Sequence, residues 1–160
     1  MGDEAMTLPE ERAAAGDRII ELTDSVGFDA TGAGWAFTKA TDTWRYFLFT
    51  TMADTKGPLW IWERLVKAFS KLHLPEGITP LDIVVASPNE ALYRSIPLKL
   101  GVNTLGAAVV TAVDMSRTGH GIDHIWLLRS RPEAALLRDV ARRDATARRF
   151  DLKVRQLLAA

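Results

Sequence analysis

Residues 34–54 read GWAFTKATDTWRYFLFTTMAD, and the reading of this stretch decides the fold. Aromatic and β-branched residues dominate it, which suits a pleated surface, and Asp42 between two threonines supplies a turn. The pattern predicts strands at about 34–40 and 43–52. In the second, Trp44, Tyr46, Leu48 and Thr50 fall on one face, and Arg45, Phe47, Phe49 and Thr51 on the other. Both faces are mostly apolar, so this strand is expected to be covered at least partly on both sides.

Working upstream, the ATGAG stretch before the hairpin reads as a flexible connection, and residues 9–26 as a helix. Glu10 and Glu11 would sit in its first turn, where acids suit the positive end of the helix dipole. Ile19, Ile20, Leu22 and Val26 form a partial apolar stripe, Gly27 is a stop, and Gly16 should weaken the first half. Downstream, Pro58 opens a second helix whose apolar face is read as Leu59, Trp62, Leu65, Val66, Phe69 and Leu72 or His73, with Trp60 opposite. LDIVVAS, 81–87, is a short apolar run between breakers and predicts a buried strand. A helix from about 88, capped by Ser87 with Glu90 as its capping-box partner, should end or kink at Pro97. Strands at about 105–114 and 122–129 follow, and then a helical stretch from Pro132 to Leu158 that is either continuous or broken near Asp144–Arg149.

The order is therefore α-ββ-α-β-α-ββ-α. It implies an α+β fold with a mixed, mostly antiparallel sheet of about five strands and packed helices. With 160 residues, 48% hydrophobic and 25% charged, the chain is read as a single α+β domain spanning 1–160. No run of apolar residues is long enough to cross a membrane, and the acidic start lacks the features of a signal peptide, so a cytoplasmic protein with no membrane partner is expected. The absence of cysteine excludes disulfides and thiolate metal sites. Neither a Walker A loop nor a dinucleotide glycine fingerprint occurs, so no cofactor is expected.

The chain is neutral overall but polar end to end. Residues 1–30 hold Asp3, Glu4, Glu10, Glu11, Asp17, Glu21, Asp24 and Asp29 against Arg12 and Arg18. From Arg129 to Arg155 the balance reverses, with Arg138, Arg142 and Arg149 near one side of the last helix. Mutual attraction of the terminal segments, with Glu10, Asp17 and Glu21 near those arginines, is preferred to a nucleic-acid face, because dedicated DNA binders are usually basic overall. Asp139, Asp144 and Asp151 are also spaced to pair with Arg143, Arg148 and Arg155 one turn on.

Chemistry concentrates in DMSRTGHGIDHIWLLR, residues 114–129. His120 and His124 would lie about 13 Å apart on an extended strand, too far to share one metal ion, so no metal site is expected. Ser116, His120 and Asp123 are close in sequence but lack a nucleophile elbow. A polar solvated hairpin loop is the preferred reading, and the loop's weaker possibility is anion binding, with Ser116, Arg117, Thr118 and His120 as candidate donors. Trp60, opposite its helix's apolar face, and Trp44, on the doubly apolar strand, are candidate interface residues of a homo-oligomer or of a surface for a protein partner. The preferred functional class is a non-catalytic binding or regulatory module. A small hydrolase or nuclease using 114–124 is the first alternative, and a nucleic-acid binder using the basic C-terminal helix is the second.

Overall fold

The structure, a computed structural model, describes residues 7–96, 102–103, 111–131 and 133–160. The elements are α1 (Glu10–Ser25), β1 (Gly32–Thr38), β2 (Thr43–Phe49), α2 (Ala53–Lys56), α3 (Pro58–Phe69), β3 (Ile83–Ala86), α4 (Ala91–Arg94), β4 (Val102–Asn103), β5 (Thr111–Asp114), β6 (His124–Ser130) and α5 (Glu133–Ala159). All described strands join one sheet in the order β3-β2-β1-β6-β4, with β5 also paired to β6. Only β2–β3 is parallel; the other pairings are antiparallel. The molecule is α+β, as the pattern of elements predicts.

The 34–54 hairpin forms the middle of this sheet. Its turn passes through Asp42, which adopts a left-handed conformation at φ 48°, and β1 and β2 pair from Gly32↔Phe49 to Thr38↔Thr43. As the alternation predicts, Tyr46 and Leu48 enter one core while Phe47 and Phe49 enter another. The first core is built with α1, α3 and α5 and centres on Trp35, Tyr46, Ile19, Ile61 and Phe150. The second, on the opposite face, includes Tyr93, Ile96, Met115 and Ile125.

Gly16, read as a weak point of its helix, and Gly34, at the end of the stretch read as flexible, are close-packing positions instead. A Cβ on Gly16 would stand 3.0–3.1 Å from side-chain atoms of Leu128, Trp35 and Tyr46. The bare helix surface lets those rings reach the α1 backbone, where Trp35 Nε1 donates to the Arg12 carbonyl at 2.6 Å and Tyr46 Oη to the Gly16 carbonyl at 2.9 Å. The ATGAG stretch is likewise buried and mostly strand, not a flexible link. A Cβ on Gly34 would fall 2.3 Å from the Trp126 carbonyl oxygen. That carbonyl sits at a β-bulge, where Ala33 pairs with Arg129 but Gly34 pairs with Leu127. The extra residue turns Leu128 and Arg129 toward the same helical layer.

The α3 stripe is rotated from its predicted position. Ile61, Leu65, Ala68 and Phe69 are its buried residues, while Leu59 and Val66 are 68% and 38% exposed. The opening residues Pro58–Trp62 are all apolar, so periodicity does not single out a centre there. Strand β3 begins two residues after the predicted start because Pro80–Asp82 forms a 3₁₀ turn, held by Thr79 and Asp82 as a capping box. The predicted helix from 88 shrinks to α4: Ser87 donates its hydroxyl to Asp54 and accepts the Asn89 N–H as a cap would, but residues 88–89 form a turn and the helix starts only at Ala91. Pro97 and most of the predicted strand 105–114 lie outside the described residues. Helix α5 is continuous over 27 residues, about 40 Å at 1.5 Å per residue. Among the described residues, no helix is long and apolar enough to cross a membrane.

Candidate functional site

The hairpin loop is built by β5 and β6, which pair antiparallel with Asp114 opposite His124. Asp114 accepts from the Ser116 N–H at 2.9 Å and from the Ser116 hydroxyl at 2.6 Å, and these bonds hold its carboxyl below the usual aspartate range. The Thr118 hydroxyl and N–H both donate to the Met115 carbonyl, and the Met115 N–H closes the loop on the Asp123 carbonyl. Both hydroxyls nominated as anion donors are thus taken up inside the loop. Arg117 is exposed at its surface.

His120 Nε2 lies 3.1 Å from Ser95 Oγ, whose proton goes to the Ala91 carbonyl at 2.6 Å. Nε2 is then the donor, which is the reverse of the polarity that activates a serine nucleophile. His124 stays within β6, its ring stacked on Trp126 at 5.7 Å. Asp123 accepts from the Lys39 N–H at 2.6 Å, tying this end of the sheet to the central turn. Among the described residues, no group of three His, Asp or Glu side chains is placed to hold a metal ion.

Trp60 and Trp44 both pack within the chain. Trp60 meets Phe150 of α5 edge-on at 6.2 Å, and the Arg64 guanidinium stacks over its ring at 3.7 Å. Arg64 is in turn held by Asp151 at 2.8 Å, so Trp60 belongs to the α3–α5 seam. Trp44 packs against Trp35, Phe37 and Trp126, with the Arg12 guanidinium 4.7 Å from its ring. Burial against these rings lowers the Arg12 pKa.

The exposed apolar surface lies beside Trp60, on the other flank of α3. Pro58, Leu59, Trp62, Leu81, Ile83, Val84 and Val85 line a groove of about 440 Å³. Leu81 is 79% exposed and Leu59 68%; among the described large hydrophobic residues only Leu137, at 69%, falls between them. The floor of the groove is β3, which ends the sheet and pairs with β2 alone among the described residues. Sequence reasoning placed Leu59 in the core and missed this site. The available signal was the run LDIVVA, which carries no charge after Asp82, a residue engaged in the capping box.

Charge attraction between the ends of the chain takes a different route from the predicted one. Arg129 forms a two-pronged pair with Asp24 at 2.9 and 2.7 Å. Arg131 bonds both Asp29 and Asp139, and Arg149 approaches Asp29 at 3.9 Å. Burial opposes the charge on Arg131, but hydrogen bonds and attraction from Asp29 and Asp139 outweigh it and raise its pKa. Glu21 pairs locally with Arg18 instead of reaching α5. Of the predicted one-turn pairs on α5, Asp151–Arg155 forms, whereas Asp139 turns to Arg131 and Arg143 to Asp54. No protein-family model, curated protein or solved structure matches this chain.

Proposed function

We propose that the protein is a non-catalytic binding module that works by pairing with a second copy of itself through the β3 edge and the adjoining face of α3. The observation that carries this reading is the strand edge flanked by exposed Leu59 and Leu81, with no charged side chain lining the groove. A free edge presents backbone donors and acceptors that another strand satisfies, and monomeric proteins usually guard such edges with charge, proline or a bulge. Ile83-Val84-Val85-Ala86 has none of these within the strand.

A second copy suits the surface because a two-fold axis sets β3 antiparallel to its own image. Such an isologous contact places uncharged residues against the same uncharged residues and needs no opposite charge on the partner. Four residues of strand bury too little alone, since stable interfaces cover about 800 Å² on each partner. Leu59, Trp62 and Leu81 must join the contact, and they lie on the same groove.

Sedimentation velocity on the wild type and on Leu59→Glu/Leu81→Glu tests this directly. The wild type should dimerise in the micromolar range and the double variant should remain monomeric with unchanged helical signal. Both leucines are largely exposed, so the variant leaves the core intact. A wild type that stays monomeric throughout that range overturns the proposal.

A further inference from the structure

The second concentration of unused binding capacity is a cleft of about 350 Å³ between α5 and the segments that lead into β1 and out of β6. Its walls carry Arg131, Arg138, Arg142 and Arg149, with Asp29, Asp139 and Thr146. Arg131 is held between the two aspartates, and Asp139 accepts a further hydrogen bond from the Thr31 hydroxyl at 3.0 Å. Arg149 reaches Asp29 only at 3.9 Å. Arg138 and Arg142 have no ion pair or side-chain hydrogen bond among the described residues, and both are exposed. Four guanidinium groups thus face two carboxylates, a surplus of two positive charges on one small concavity.

The helix spaces this surplus for a ligand. Arg138 and Arg142 are one turn apart, with Thr146 one turn further along the same stripe. Side chains at that spacing start about 5–6 Å apart, so both guanidinium forks can close on one tetrahedral oxyanion. Their mutual repulsion is relieved when a dianion enters. We propose that this cleft binds a small phosphate-type dianion, clasped by Arg138 and Arg142, with Thr146 and Arg149 as further donors. The volume is near the lower end of the roughly 300–1,000 Å³ spanned by ligand pockets, which fits a phosphate with a small attached group. A nucleic-acid track is disfavoured by Asp29 and Asp139 at the cleft and by Asp144 and Asp151 along α5. The inference does not depend on the β3 edge.

Isothermal titration with inorganic phosphate, pyrophosphate and a short single-stranded DNA at low salt provides the test. Saturable binding of phosphate or pyrophosphate is expected. The Arg138→Ala/Arg142→Ala variant should weaken it about tenfold or more, the effect of removing charge-assisted hydrogen bonds. Arg142→Lys, which keeps the charge but loses the fork, should fall between the two. Arg148→Ala, outside the cleft lining, should bind as the wild type does, and circular dichroism should confirm that every variant is folded. Absence of saturable small-anion binding by the folded wild type overturns the proposal. So does an equal loss in Arg148→Ala, or arginine-dependent binding of the DNA without binding of either small anion.

Discussion

Two groups of arginines lie near the end of β6, and they differ in what they face. Arg129 is 7% exposed, turned into the helical layer by the β-bulge, and held by Asp24 and the Ala30 carbonyl. Arg138 and Arg142 stand on the open side of α5, where the nearby aspartates are already engaged by Arg131. A guanidinium whose directions are filled by its own chain contributes to the fold. One left with surplus donors over a concavity contributes charge to whatever enters. The sequence has the same residue type in both places, and only the pairing separates the roles.

The contrast breaks most severely if the bulge is disturbed. In Gly34→Ala, the added methyl meets backbone at the Trp126 carbonyl, which cannot swing aside as a side chain would. The bulge that aims Arg129 would have to flatten or shift register. A loss of more than about 3 kcal/mol is expected, at or beyond the upper end for overpacking. Urea unfolding monitored by tryptophan fluorescence would show it, and a wild-type midpoint would mean that the bulge is not required.

Asp24→Ala should have the next largest effect, about 3 kcal/mol, the lower end for breaking a buried pair. The substitution strands the nearly buried Arg129 without its counter-ion. Arg129→Met should cost less, because the remaining aspartate is one-third exposed and can rehydrate. Chemical denaturation of the two variants side by side reads the difference; equal losses would show that the pair acts through packing alone.

Tyr46→Phe sharpens the comparison at alkaline pH. Tyr46 is fully buried, its hydroxyl bonded to the Gly16 carbonyl, and burial pushes its pKa well above the usual tyrosine value. The unfolded chain ionises first, at about 10, so this contribution is complete below that pH and declines as pH rises toward the folded value. The variant should lose about 1 kcal/mol at neutral pH, the typical contribution of one hydrogen bond, and should show a shallower decline above pH 10. Melting temperatures measured across pH 7–11 provide the check; parallel curves for the two proteins would assign the alkaline decline to other groups.

What the sequence made legible follows from how local each signal is. Alternation in residues 43–49 placed the hairpin faces correctly, because period-two patterning acts within a single strand. Ile19, Ile20 and Leu22 were equally readable on α1, whose other side is polar. The α3 face was misjudged where apolar residues surround the helix, and the correct centre, Ile61, depends on where α5 and the sheet stand. Gly16 and Gly34 could not be interpreted without the rings and carbonyl that approach them. Candidate sites were harder still. The 114–124 loop attracted attention because its polar residues are adjacent in sequence, yet adjacency is what lets Asp114, Ser116, Met115 and Thr118 satisfy one another. The cleft draws its residues from positions 29 to 149, so only the fold assembles it.

The smallest predicted effect concerns that open side. Arg138→Ala/Arg142→Ala should change unfolding free energy by no more than about 0.5 kcal/mol, the range for surface substitutions without special contacts. A slight gain is the expected sign in low salt. Alanine is the better helix former, and removing two like charges one turn apart relieves a repulsion worth a few tenths of a kcal/mol. Added salt should screen that repulsion and bring wild type and variant together. Asp24→Ala, by contrast, should remain strongly destabilised in the same salt, since a pair closed by the fold is screened much less. Thermal melts of the two variants at low and high ionic strength therefore give the comparison its most direct form. If the double alanine variant loses stability on the scale of Asp24→Ala, its arginines are structural, and the distinction between a filled site and an open one fails at the cleft.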